Sequence, residues 1–125
     1  MKVAIYDRGV CGIEQTFYLG TVNKDTDTAE GTQLPIALPA GFRIVGFGID
    51  VKTAFSAATL DISGDQSSPV KYLDAAELNA AGFITKNGKY VAVGDKDVTL
   101  KAKLSAAESG DGCADIFVKA VRLEV

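Results

Sequence analysis

Large apolar side chains alternate with small or polar ones over residues 43–55. Val45, Phe47, Ile49, Val51 and Phe55 fall on odd positions, and Gly46, Gly48, Asp50 and Lys52 fall between them. A β-strand points successive side chains to opposite faces, so this run predicts one face on a core and one face wet or closely covered. Two glycines on the second face predict that another part of the chain comes close there, or that the strand bends. The same period of two recurs twice more. Ala58, Leu60 and Ile62 point inward against Thr59, Asp61 and Ser63, and Val98, Leu100, Ala102 and Leu104 against Thr99, Lys101 and Lys103. The C-terminal run 114–125 is apolar on both faces, with Ile116 and Val118 on one and Phe117, Val121, Leu123 and Val125 on the other. Two-sided hydrophobicity marks a central strand, or one whose outer face meets a partner.

Weaker strand patterns occupy residues 2–6, 16–22 and 89–93. Asn87-Gly88 predicts a hairpin turn ahead of the last of these, because both residues tolerate positive φ. Residues 23–31, 94–97 and 109–112 are polar, glycine-containing and without period, which predicts loops. Residues 70–81 break the β pattern. They are rich in Ala and Leu, Asp74 and Glu77 have capping-box spacing, and Gly82 stands where a helix would stop. The expected fold is therefore an all-β, single-domain β-sandwich over residues 1–125, jelly-roll-like, with one short helical insertion; a partly open barrel is the alternative. Residues 1–22 are expected either as an added strand or as an N-terminal arm.

Composition narrows the chemistry. The chain has 125 residues, 47% hydrophobic and 23% charged, with a net charge of −3 and neither His nor Trp. A mild acidic excess without a Lys/Arg cluster opposes nucleic-acid binding, which needs a basic face. No apolar stretch is long enough to cross a membrane as a helix. Without His, neither a Ser-His-Asp nor a Cys-His site can form. Two cysteines, Cys11 and Cys113, cannot build a four-thiolate zinc site. Far apart in sequence, they pair only if the termini come together, and free thiols are the expectation for synthesis in a reducing cytosol. Asp61, Asp65, Asp95, Asp97 and Asp111 sit at strand ends and turns, where Asp side chains bond nearby backbone. Residues 23–31 begin like a calcium loop, but Thr28 stands where Gly is needed and Leu34 where Glu is needed. The reading is no enzyme, no catalytic residue, no cofactor and no metal. The ten aromatic residues are spread along the chain with no run that suggests a sugar-stacking platform. Phe17-Tyr18 places one ring on each face of its strand, so one ring belongs at an edge or interface.

The run from Leu38 through Pro39, Gly41 and Phe42 to Val45, then Asp50 to Phe55, then Ala58 to Asp65, resembles small virion proteins of tailed bacteriophages. The resemblance is strongest to head decoration or capsid cement proteins. It carries on through Ala81-Gly82 to the last strand and spans residues 34–125. It implies a non-enzymatic protein on the outside of a capsid, often a trimer, with the major capsid protein as partner. A tail or neck structural protein, or a carbohydrate- or receptor-binding β-module, is the alternative. Surplus apolar residues at both ends of the chain nominate Tyr6, Phe17, Tyr18, Phe117, Val121 and Leu123 as interface.

Overall fold

In a computed structural model of the chain, the structure describes residues 2–3, 14–26, 28 and 30–122. Ten strands follow in order: β1 (Lys2–Val3), β2 (Glu14–Asn23), β3 (Thr32–Gln33), β4 (Ile36–Ala37), β5 (Phe42–Thr53), β6 (Thr59–Gly64), β7 (Lys71–Glu77), β8 (Gly82–Ala92), β9 (Leu100–Leu104) and β10 (Cys113–Arg122). Eight of them make two four-stranded antiparallel sheets, ordered β2-β10-β5-β8 and β3-β9-β6-β7. β1 and β4 add a short parallel pair. The chain crosses between sheets at nearly every connection, and only β6 and β7 are neighbours in both sequence and space. This interleaved order, with each sheet alternating early and late strands, is that of a jelly roll.

The alternation that defined the strands also fills the core. Leu60, Ile62, Leu100, Ala102 and Leu104 of one sheet, and Phe47, Ile49, Val51, Ile116 and Val118 of the other, are fully or almost fully buried. Each such aliphatic side chain contributes about 1.5–3 kcal/mol by leaving water. The apolar C-terminal run is central, as expected: β10 lies between β2 and β5. Residues 14–23 form a long edge strand of the same sheet, paired antiparallel with β10.

Three expectations are corrected, each by a bulge. Val45 was expected in the core, but it is half exposed while Ile44 is fully buried. The register of β5 slips at this point against both β10 and β8, so Val45 is an extra residue and the inward parity changes there. Asn87-Gly88 is not a hairpin turn but lies inside β8. Asn87 pairs with Gly46 and Val91 with Ile44, so residues 88–90 form a bulge opposite Val45. Lys89 takes φ 55°, and its N–H donates to Asn87 Oδ1 at 2.7 Å.

The third correction is the helix over 70–81, which is absent; the segment forms β7, an edge strand on β6. Opposite two steps of β6 (Leu60 to Ile62), β7 takes three (Ala76 to Leu73), which inserts one residue. Ala75 sits there in the left-handed region at φ 51°, and its N–H donates to Asp61 Oδ1 at 2.7 Å. Lys71 Nζ stands 3.4 Å from the other Asp61 oxygen. The bulge brings Tyr72, Leu73, Ala76 and Leu78 to the core. Spacings of one, three and two look helical in sequence, although the backbone is extended. Helix propensity in an Ala-rich stretch is worth only a few tenths of a kcal/mol per residue, less than the cross-strand ladder and burial gained here.

A non-glycine residue in the left-handed region costs about 1 kcal/mol. Ala75→Gly should therefore raise stability by up to about 1 kcal/mol, read as a higher urea midpoint at unchanged slope. Asp61→Ala, which strands the Ala75 N–H, should lower it by about 1–2 kcal/mol. Opposite signs for either variant would refute the account of this bulge.

Candidate functional site

The outer face of the β2-β10-β5-β8 sheet carries an aromatic stripe that crosses all four strands. Tyr18 on β2 is register partner of Phe117 on β10, and Phe117 is partner of Gly48 on β5. The two rings lie 5.5 Å apart, tilted by 56°. Gly48 has no side chain to offer, and the Phe83 ring of β8 fills the space above it. A Cβ at Gly48 would stand 2.5 Å from Phe83 Cζ, closer than carbon atoms approach. The pair of glycines read from the sequence is thereby accounted for: Gly46 lies under the Lys86 carbonyl and Gly48 under the Phe83 ring. Tyr18 is 47% exposed and Phe83 is 59% exposed, the two large apolar side chains left in solvent among the described residues, while Phe117 between them is half-buried.

A polar chain fixes one end of the stripe. The Tyr18 hydroxyl lies 2.7 Å from Thr21 Oγ1, which donates to Asp115 Oδ1 at 2.6 Å. Thr21 has a single hydroxyl proton, so Tyr18 is the donor in the first bond. Lys52 Nζ meets Asp115 Oδ2 at 2.9 Å. Asp115 on β10 thus ties β2 on one side to β5 on the other. The Thr21 bond first, then Lys52, holds its carboxyl below the usual carboxylate range. The Lys52 ammonium is correspondingly raised, chiefly by its hydrogen bond to Asp115. Next to the stripe, at the Val45 bulge, a depression of about 450 Å³ opens between Val45, Thr85, Lys86 and Lys119.

Elsewhere the carboxylates serve the backbone. Glu108 accepts from the Ser56 and Gly112 N–H groups at 3.2 and 3.1 Å, closing the loop that leads into β10. Burial works to raise its pKa, but the Ser56, Gly112 and Gly110 hydrogen bonds together bring it below the ordinary value. Asp65 accepts from Thr99 N–H and Asp97 from Ala40 N–H. Asn23 and Thr26 close the start of the acidic loop upon themselves. Among the described residues no cluster of three or more His, Cys, Asp or Glu could hold a metal ion. Cys113 is a half-buried free thiol on β10, and Cys11 lies outside the described residues.

No protein-family model matches the chain, and no curated protein matches it by sequence. Solved structures do. The chain is similar to one in the cyanophage Pam1 capsid asymmetric unit, with a TM-score of 0.57 and 23% identity, over 99% of this chain and 94% of that one. It is also similar to a chain in the acidic stable capsid structure of Helicobacter pylori bacteriophage KHP30, with a TM-score of 0.49 and 15% identity, over 87% and 93%. The Pam1 likeness shows a shared fold along nearly the whole length of both chains.

The six residues nominated from sequence fall into three groups. Tyr18 and Phe117 are brought together as ring neighbours on the exposed face. Phe17 points into the core against Phe42, with ring centroids 5.6 Å apart, and Val121 is buried. Tyr6 and Leu123 lie outside the described residues. Phe83 was missed. Its signal was indirect: a bare glycine face on one strand calls for a bulky residue on the next, and Phe83 follows Gly82 with nothing else to cover.

A lowered carboxylate stabilises the fold above its unfolded pKa and loses that contribution as pH falls through the lowered folded value. Asp115→Asn should therefore lower the melting temperature at pH 7, and the gap to the unaltered protein should narrow steadily as pH falls below the ordinary carboxylate range. A gap that persists in acid would show that the Thr21–Asp115–Lys52 chain is not its cause. For the 23–31 loop, adding a calcium chelator should leave the melting temperature unchanged; a clear drop would reveal a bound ion.

Proposed function

We propose that this protein is a non-enzymatic structural component of a tailed-bacteriophage virion that binds the outside of the capsid and stabilises it, as a homotrimer contacting the major capsid protein. The observation that carries this reading is the end-to-end match of its jelly roll to a chain of the Pam1 capsid asymmetric unit. The sequence resemblance to decoration and cement proteins supports it independently. The aromatic stripe supplies a contact surface. Exposed apolar residues scattered singly need no explanation, but three rings in one line mark an interaction site. Aromatic side chains dominate interface energetics when covered, and about half of the surface of Tyr18 and of Phe83 is still open to be covered. A stable interface covers about 800 Å² on each partner, so the stripe forms its centre and the polar residues around it the rim.

The test is cosedimentation of purified protein with shells assembled from the major capsid protein of the same phage. The protein should pellet with shells and raise their melting temperature. Phe83→Ser and Tyr18→Ser should each weaken association about tenfold or more, as central aromatic residues do. Phe83→Ser, the more exposed of the two, should keep its melting temperature within a few degrees, while Tyr18→Ser, which also loses the Thr21 hydrogen bond, should lower it modestly without unfolding the chain. Sedimentation equilibrium should show three chains per particle. Association with purified tails and not with heads would replace this reading with a tail or neck role; glycan binding without shell binding would replace it with a receptor-binding one.

A further inference from the structure

The edge strands of the two sheets, β7 and β8, run past each other. A depression of about 360 Å³ lies there, floored by Tyr72, Leu73 and Val91 and rimmed by Lys71, Lys86 and Lys89. The three lysines are not equivalent. Lys71 is balanced by Asp61 at 3.4 Å and Asp74 at 3.6 Å, and those carboxylates raise its pKa. Lys86 and Lys89 have no ion pair among the described residues. Three lysines against two carboxylates thus leave one net positive charge in a concave place on a chain of net charge −3, with Lys86 and Lys89 unpaired.

Lys89 is held there at a cost. Its positive φ is unfavourable for a residue with a Cβ, and the Asn87 side chain stabilises the turn that requires it. Bulges of this kind re-aim a side chain away from its strand's regular direction. Neither β7 nor β8 has a second strand partner within the described residues, so both present backbone donors and acceptors beside the lysines. Backbone groups at an edge, alternate side-chain sites and a local positive charge together select an extended, acidic polypeptide. A nucleic acid fits worse: two unpaired cations and two flanking carboxylates do not neutralise a phosphate backbone.

We propose that the β7–β8 cleft is a second binding site, which takes an extended acidic segment of a partner protein. It uses none of the three rings of the stripe, although Lys86 also lines the depression beside them, and it does not depend on the capsid reading. The probe is a synthetic peptide alternating Glu and Val, titrated into the full-length isotope-labelled protein and followed by its amide resonances. Shifts should concentrate at residues 71–74 and 86–91 and weaken as salt rises. In the Lys86→Gln, Lys89→Gln double variant the affinity should fall about tenfold or more at an unchanged melting temperature. Asn87→Ala, which frees the Lys89 turn, should fall between the two. Shifts scattered over the surface, an affinity unchanged in the double variant, or stronger binding of a single-stranded oligonucleotide of equal charge would each overturn the proposal. Loss of shell binding by Phe83→Ser with peptide binding intact supports it as a separate site.

Discussion

The molecule depends on the position of β10. It is flanked on both sides, by β2 and by β5, and its two faces do different work. Inward, Ala114, Ile116, Val118 and Ala120 pack the sandwich. Outward, Asp115 bonds Thr21 on one neighbour and Lys52 on the other, and Phe117 stands between Tyr18 and the bare backbone of Gly48. Remove β10 and the first sheet separates into an isolated strand and a two-stranded ribbon. Such pieces cannot hold a flat face of four strands in register.

Where the backbone is regular, the side-chain period of two reads directly as structure. This holds for Leu60 and Ile62, for Leu100 to Leu104, and for Phe47 to Val51. It fails wherever an extra residue enters a strand, because a bulge shifts parity and no residue type announces one. Val45 and Ile44 are equally apolar, and only the register of the neighbouring strands decides which of them is buried. At β7 the failure is more instructive. The Asp74-Ala75 insertion converts a strand's alternation into a helical spacing, and Ala-rich composition then points the same way. What decides for extended structure is Asp61, fourteen residues earlier, whose carboxylate accepts the Ala75 N–H. A window reading of 70–81 does not contain that residue.

The candidate surface was half readable for a related reason. Tyr18 and Phe117 stood out because each belonged to a strand with apolar residues on both faces. Pairing them required knowing that the first long strand lies beside the last. Phe83 has no such local mark, since its role is set by an absence, the missing side chain at Gly48. Four strands from distant parts of the chain contribute to one line of rings, so an aromatic surface that no segment carries in its own sequence is made by topology.

The same topology sets an order of events during synthesis. Residues 14–23 leave the ribosome long before residues 113–122, which are their strand partner. At about 5–20 residues per second, the delay between the two is of the order of 5–20 seconds. Throughout it, Phe17, Leu19 and Val22 have no β10 backbone to pair beside and no closed core to enter. Non-local pairing of this kind folds slowly and exposes sticky intermediates. It also delays the outer face: the stripe is complete only once Phe117 has been inserted between Tyr18 and Gly48. A copy truncated before that residue, or stalled before closing its sheet, lacks the continuous line of rings.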